Sequence, residues 1–313
     1  MASIPVQKSY LSTAEVSRLF GVTETTVKRW ADEGTLRCQK TPGGHRKFEI
    51  RQVVEFAEKN DFDPVGALEF SDDDDLGPRI QTAVLERSYP ILVEAYIRRA
   101  LDPGADRLFP YLSYLYQHRI QLWEIHDLVI RPALQELGER WVRGELCISQ
   151  EHEASYSTLD ALARLQCQIR IKPPTGQSVV CATLGEELHE IGLRCAAYLF
   201  ASEGWETHYL GSRIPAQSVQ GAILRMRPNV VCLSASHGDP ACLREGVTQI
   251  LGAASEVGAV VLAGGGLARV LNETAGGIDA SRNSSRELVS FIADQVRAHP
   301  SPDAGDEPPA PRQ

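Results

Sequence analysis

The stretch Ser178-Val179-Val180-Cys181-Ala182-Thr183-Leu184-Gly185-Glu186-Glu187-Leu188-His189-Glu190-Ile191-Gly192 decides the fold of the carboxyl-terminal half of this chain. Residues 178–184 are an apolar run of strand length, and a helical pattern begins at His189. A strand passing through a short acidic loop into a helix is the opening unit of a parallel α/β sheet. His189 is thereby placed at the carboxyl edge of the sheet, where open α/β folds bind ligands. Glu187 lies two residues before it and Gly192 three after, a spacing that suits an imidazole ligating a large flat cofactor. The carboxylate can hold the ring's other nitrogen, and the glycine lets the cofactor lie against backbone.

Working downstream, the same alternation continues. Strands are expected at 206–210, 230–234 and 259–263, with a weaker one near Ile278, and helices at 189–202, 216–225, 240–255 and 286–298. Upstream of the break Lys172-Pro173-Pro174-Thr175-Gly176 the period changes. From about Pro78 to Arg170 apolar residues recur at helical spacing, with Pro90, Pro103 and Pro132 as boundaries or first-turn residues, which predicts a bundle of four or so helices.

At the amino terminus, Ser12-Thr13-Ala14-Glu15 reads as a capping box opening a short helix to Phe20. Gly21 ends it, Thr23 caps a second helix over 24–33, and Gly34 terminates that one. Two short helices joined by a glycine turn make a helix-turn-helix, whose second helix offers Thr25, Thr26, Lys28 and Arg29 to phosphates and groove edges. Trp30 belongs to the core. Lys40-Thr41-Pro42-Gly43-Gly44-His45-Arg46-Lys47-Phe48 is a glycine turn with cations and an anchoring aromatic, so His45, Arg46 and Lys47 are expected to grip the sugar–phosphate backbone. A third helix is expected at 50–59. A formal net charge of −9 argues against nucleic acid only until it is divided. Residues 1–59 carry ten Lys/Arg against seven Asp/Glu, while 61–75 carry seven acidic residues and no basic ones.

The expected architecture is therefore multidomain. A winged helix-turn-helix at 1–60 is followed by an acidic linker at 61–77 and a helical bundle at 78–171. An α/β flavodoxin-like (Rossmann-type) domain follows at 172–298, and a disordered, proline-rich tail at 299–313. There is no signal-peptide pattern and no apolar run long enough to span a bilayer, which points to the cytoplasm and away from a membrane. Seven scattered cysteines without a C-x-x-C pair argue against zinc or a disulfide framework and suggest buried thiols.

The first module resembles the winged helix-turn-helix of MerR-type transcription regulators, whose G-G-H-R-x-F-like wing is matched by residues 43–48. It lacks the long coiled-coil helix with which many MerR relatives dimerise, so association must come from elsewhere. In the last domain, Glu187, His189 and Gly192 match the E-x-H-x-x-G form of the cobalamin-binding motif usually written D-x-H-x-x-G. Leu233-Ser234-Ala235-Ser236 and Ala263-Gly264-Gly265-Gly266 correspond to its S-x-[LTS] and glycine-pair elements. Singly, a loop histidine or a glycine turn means little; three elements in order at strand ends mean more.

Trp141, with Glu151-His152 ten residues on, completes a likeness to the adenosylcobalamin-dependent light-responsive repressors of the CarH/LitR family. The likeness implies adenosylcobalamin as cofactor, with His189 as the cobalt's lower axial ligand and Glu187 orienting it. It implies that Gly192, Ser234, Ser236, Gly264 and Gly265 line the cofactor site, and that Trp141, Glu151 and His152 cover the adenosyl group. It further implies a homo-oligomer, dimer or tetramer, on a double-stranded DNA operator, released by light. Val142 departs from the family pattern, which has a metal-ligating histidine right after the tryptophan. The alternatives are a light-independent or cobalamin-level-sensing regulator and, in a different class, a corrinoid methyltransferase module. The winged module argues against that enzyme, and the chain shows no nucleophile–base pair or P-loop.

Overall fold

Two compact units make up the chain, Met1–Ile169 and Arg170–Gln313. The computed structural model describes residues 10–20, 22–41, 43–60, 76–102, 107–236, 238–279 and 284–298. Residues 61–75 of the expected linker, the tail from His299, Gly21, Pro42 and Pro103 lie outside the described residues, and the linker's last two positions, 76 and 77, already belong to a helix.

In the first module β1 (Tyr10–Ser12) leads into α1 (Thr13–Leu19), α2 (Glu24–Asp32), β2 (Gln39–Lys40), β3 (Arg46–Glu49) and α3 (Ile50–Lys59). The Thr23 side chain caps α2 by accepting from Thr26 N at 3.3 Å, and Gly34 follows it at φ +73°. The side chain of Glu15, half of the expected capping box, lies outside the described residues. Val16, Phe20, Val27, Leu36, Phe48, Val53 and Phe56 form the core, and Trp30 packs against Phe20 and Phe56 at its margin. The strand β1 was not expected. Its three residues carry no period of their own, and its partner β3 is distant in sequence, with Tyr10 registered on Glu49.

The helices that follow are α4 (Leu76–Glu86), α5 (Tyr89–Ala100), α6 (Leu108–Gln117), α7 (Leu122–Glu124), α8 (Arg131–Val142) and α9 (Ile148–Gln166). Pro90 stands in the first turn of α5, as expected. Pro132 likewise stands in the first turn of α8, as expected, but the helical path is not interrupted there: a π-helical segment, Ile125–Ile130, carries it from α7 into α8. A proline within a helix removes one donor and crowds the carbonyl four residues back. The wider turn before Pro132, in which Arg131 N reaches His126 O, accommodates both. Buried hydroxyls are spoken for: Tyr111 donates to Leu92 O at 2.7 Å, and Tyr96 shares a 2.6 Å bond with Thr158.

The second unit alternates strictly: β4 (Ser178–Thr183), α10 (Ile191–Ser202), β5 (Glu206–Gly211), α11 (Ala216–Met226), β6 (Val230–Ser234), α12 (Pro240–Val257), β7 (Val260–Gly264), α13 (Ala268–Ala275) and α14 (Ser285–Ala298). The four strands are parallel in the order β5-β4-β6-β7. That is the flavodoxin-like order, with its topological switch point between β4 and β6. Near Ile278 the described residues form no strand but a parallel bridge from Leu262 of β7 to Asp279, with Ile278 itself buried. The cysteines are mixed: Cys181, Cys195 and Cys232 are buried, but Cys147 and Cys167 are exposed, contrary to expectation. Among the described residues no helix is long and apolar enough to cross a membrane.

Candidate functional site

β4 ends at Thr183 because the chain turns there, and residues 184–190 form the loop that delivers His189 to the first turn before α10. Leu184 N is still held by Ser234 O of the neighbouring β6 at 3.0 Å. Glu187 then dives inward, and its side chain is fully buried. A buried carboxylate is tolerable only when hydrogen bonds replace its water. Here Oε1 accepts from His189 N at 2.8 Å and from His189 Nδ1 at 2.6 Å, while Oε2 accepts from Ser236 N at 2.7 Å. One carboxylate thus ties the loop after β4 to the loop after β6, across the switch point.

The consequence for His189 is chemical. Its side chain is 66% exposed, yet the ring is fixed through Nδ1. With Nδ1 donating to a carboxylate, the neutral ring presents its lone pair at Nε2, the arrangement of a metal-ligating imidazole. Gly192 leaves open space beside this loop. A side chain there would meet nothing within 4 Å, and its backbone is not left-handed, so neither packing nor conformation asks for glycine. Leu188, 63% exposed beside the histidine, is another bare apolar surface.

The tail elements separate into two kinds. Ser236 is half-buried with its N–H on Glu187. Ser234, expected to line a pocket, is instead 8% exposed at the end of β6. Gly265 sits at φ +96°, where a Cβ would collide with Ala235 O, so close approach of two strand ends explains it within the chain itself. Gly264 closes β7 in register with Ser234.

Residues the sequence reading passed over complete the platform. Thr183, fully buried, donates to Glu187 O at 3.2 Å and accepts from Arg213 N at 3.1 Å. Arg213 pairs with Glu186 at 2.7 Å, and Tyr209 donates to Glu190 at 2.7 Å with Arg194 stacked 4.0 Å over its ring. The phenol of Tyr209 is pushed above its ordinary range, chiefly by burial and then by that carboxylate. No sequence signal marks Thr183, which reads as one more β-branched strand residue.

In the bundle, the expected cap residues stand around the turn from α8 to α9. Trp141 is 45% exposed and Val142 78%. Glu151 accepts from Ser155 Oγ at 3.0 Å and lies 3.6 Å from His152 Nε2. Ile148 and Tyr156 are exposed on α9 at four-residue spacing on either side of His152.

On the helix-turn-helix module Thr25, Lys28, Arg29, His45 and Lys47 are exposed. Lys28 and Arg29 make loose i,i+4 pairs with Glu24 and Glu33 at 3.3 and 3.9 Å, which exposed side chains exchange readily. Two expected contacts are engaged within the protein. Thr26 shares its hydroxyl with Thr23 at 3.0 Å, and Arg46 grips Asp32 with 2.6 and 2.9 Å bonds, holding the wing to α2. That guanidinium also keeps the Asp32 carboxyl below its usual range.

Residues 10–61 match the helix-turn-helix domain family, and residues 177–289 match the B12 binding domain family. The chain is 27% identical over 239 residues to the HTH-type transcriptional repressor CarH of Myxococcus xanthus, spanning 70% of this chain and 76% of that protein. To the HTH-type transcriptional repressor CarA of the same organism it is 31% identical over 108 residues, 34% of this chain and 35% of CarA. Among solved structures, the Methanosarcina barkeri monomethylamine corrinoid protein shares the fold, with a TM-score of 0.54 at 11% identity over 65% of this chain and 98% of that one.

Proposed function

For a chain similar to the repressor CarH along most of its length, we propose a cobalamin-binding transcriptional repressor whose hold on DNA is set by its cofactor. The observation that carries this reading is the buried Glu187 carboxylate fixing Nδ1 of an otherwise exposed His189 at the sheet's switch point. His189 would ligate the cobalt, with Glu187 holding its tautomer. Gly192, Ser236, Gly264 and Gly265 would border the cofactor, with Ser234 supporting them from within the sheet. When bound, adenosylcobalamin would supply a cobalt for His189 to hold and a light-labile carbon–cobalt bond.

Residues 78–171 would act as the sensor's cover, with Trp141, Glu151 and His152 contacting the upper ligand. Residues 1–60 would read double-stranded DNA through Thr25, Lys28, Arg29, His45 and Lys47, with Thr26 and Arg46 shaping that surface. Copies assembled into a dimer or tetramer would place several such modules on one operator, and linkage of that kind adds about 10²–10⁴-fold in avidity. A cofactor that favours the assembled form therefore raises affinity for DNA. The relatives' repressor names support a regulator over an enzyme.

A second reading draws on Val142, which cannot ligate a metal: a sensor of cofactor supply rather than of light. One experiment separates the two. Full-length protein saturated with adenosylcobalamin in darkness is passed through gel filtration, and its spectrum, size and operator binding are measured before and after illumination. Coloured protein that shrinks and releases DNA in light supports the light-sensing repressor. Coloured protein that binds DNA only when loaded, unaltered by light, supports the supply sensor. Colourless protein, or colour retained equally by His189→Ala, ends the cobalamin reading.

A further inference from the structure

We infer that Thr183 is a positioning residue for His189, acting through the backbone of the loop that carries the imidazole; the inference rests on the cobalamin reading above. A fully buried position at the end of a β-strand favours valine, which fills the same volume without a polar atom. A hydroxyl there is costly unless it is used. Thr183 uses it twice, donating to Glu187 O at 3.2 Å and accepting from Arg213 N at 3.1 Å. The first bond folds the loop back on β4, so that Glu187 can reach His189 Nδ1 with one oxygen and Ser236 N with the other.

The second bond reaches the turn after β5. Arg213 sits at φ +55°, a left-handed conformation that residues bearing a Cβ adopt only when their surroundings enforce it. Thr183 provides part of that enforcement through Arg213 N, and the Arg213 guanidinium then takes Glu186 at 2.7 and 3.0 Å. Glu186 and Glu187, adjacent in the His189 loop, are therefore held by two grips that both pass through Thr183 or its partner. Removing the hydroxyl alone frees the Glu187 carbonyl and the Arg213 turn together. The expected result is a loop that still connects the same elements but no longer fixes the imidazole.

The test uses the full-length chain in darkness, with Thr183→Ser, Thr183→Ala and Thr183→Val titrated with adenosylcobalamin and with hydroxocobalamin. Affinity, the visible spectrum of the bound corrinoid and the melting midpoint of the cofactor-free protein are recorded. Thr183→Ser should stay within about twofold of the unaltered protein, whereas Ala and Val should bind about 10–100-fold more weakly, as loss of a ligand-orienting contact does. Their residual complexes should carry the spectrum of His189→Ala. Ala and Val variants that keep the affinity and spectrum of the unaltered protein overturn the inference. So does a Ser variant as weak as Ala, or a fall in melting midpoint with no spectral change. Should Thr183→Val fail to fold, the Ser and Ala variants, which differ by the one oxygen, decide. If the unaltered protein retains neither corrinoid, the parent reading fails first and the inference with it.

Discussion

In the loop after β4 every acidic side chain is tied down, whereas at the junction of α8 and α9 the side chains expected to meet the cofactor stand largely in solvent. Glu186 holds Arg213, Glu187 holds His189 and Ser236 N, and Glu190 holds Tyr209. Around the bundle's turn, Trp141, Val142, Ile148 and Tyr156 are exposed, and His152 keeps 62% of its side-chain surface. Two histidines, one in each unit, make a second and opposite contrast. His189 is exposed but bonded through Nδ1. His126, in the π-helical segment, is buried with neither ring nitrogen bonded. The difference divides the work. The lower side of the proposed site is shaped by the chain's own hydrogen bonds before any cofactor arrives. If the junction of α8 and α9 covers the cofactor as proposed, it would contribute apolar area, whose burial is worth about 25 cal/mol per Å².

The largest effect expected concerns stability and the bundle alone. Burial pushes the His126 imidazole down to about 3, with the nearby Arg131 adding a smaller push in the same direction. In the unfolded chain the same group titrates near its ordinary value of about 6.5. The unfolded state therefore binds more protons between those values, so the stability contributed by neutral His126 is whole above the higher value. It is lost as pH falls toward the lower one. Linkage gives a loss of about 3 kcal/mol between about pH 7 and about pH 4. His126→Leu should remove most of that acid sensitivity in denaturant titrations at the two pH values, without weakening the folded state at the higher pH. An unchanged acid limb would mean that the buried imidazole is already partnered by water.

Next in size is Glu187→Gln, which keeps the shape of the side chain and removes its charge. An amide offers one acceptor where Glu187 now serves His189 N, His189 Nδ1 and Ser236 N. Cobalamin affinity should fall about 10–100-fold, with an altered visible spectrum. A spectrum and affinity unchanged by the substitution would show that preorganisation on the lower side does not depend on the carboxylate, and the contrast with the bundle would lose its basis.

How far these regions were legible follows from where their information lies. Strand β6 was read at its observed bounds, and β4 and β5 differ by one residue, because apolar runs between turns announce buried strands. Strand β7 runs over Val260–Gly264, one residue later than expected. Helix α10 begins at Ile191 rather than His189, with Glu190 as its N-cap and the N–H of His189 bonded back to Glu187 in the preceding loop. Helix α13, eight residues long, was too short to declare a period. The pairing of Glu187 with His189 was readable from a two-residue interval, but its third partner is a backbone N–H 49 residues away. Arg46 shows the same limit. Its charge is visible in the sequence, but Asp32, 14 residues earlier, is the partner that commits it to holding the wing. Spacing reveals local partners; the fold alone chooses the distant ones.

The smallest expected effect is the sharpest test of the division between the two regions. Trp141 is 45% exposed at the end of α8. If its role is to cover an upper ligand, Trp141→Ala should spare the lower side altogether. Hydroxocobalamin, which carries no bulky upper group, should bind with unchanged affinity and an unchanged histidine-bound spectrum. Adenosylcobalamin should lose the packing of one aromatic face, worth about 0.5–1.5 kcal/mol, or roughly 2–13-fold in affinity. Titrating both forms in darkness measures the ratio directly, so errors in protein concentration or activity cancel. Equal weakening of both forms would place Trp141 in the support of the whole site. A disturbed spectrum would carry its influence down to His189. In either case the two regions would act as one unit on the cofactor.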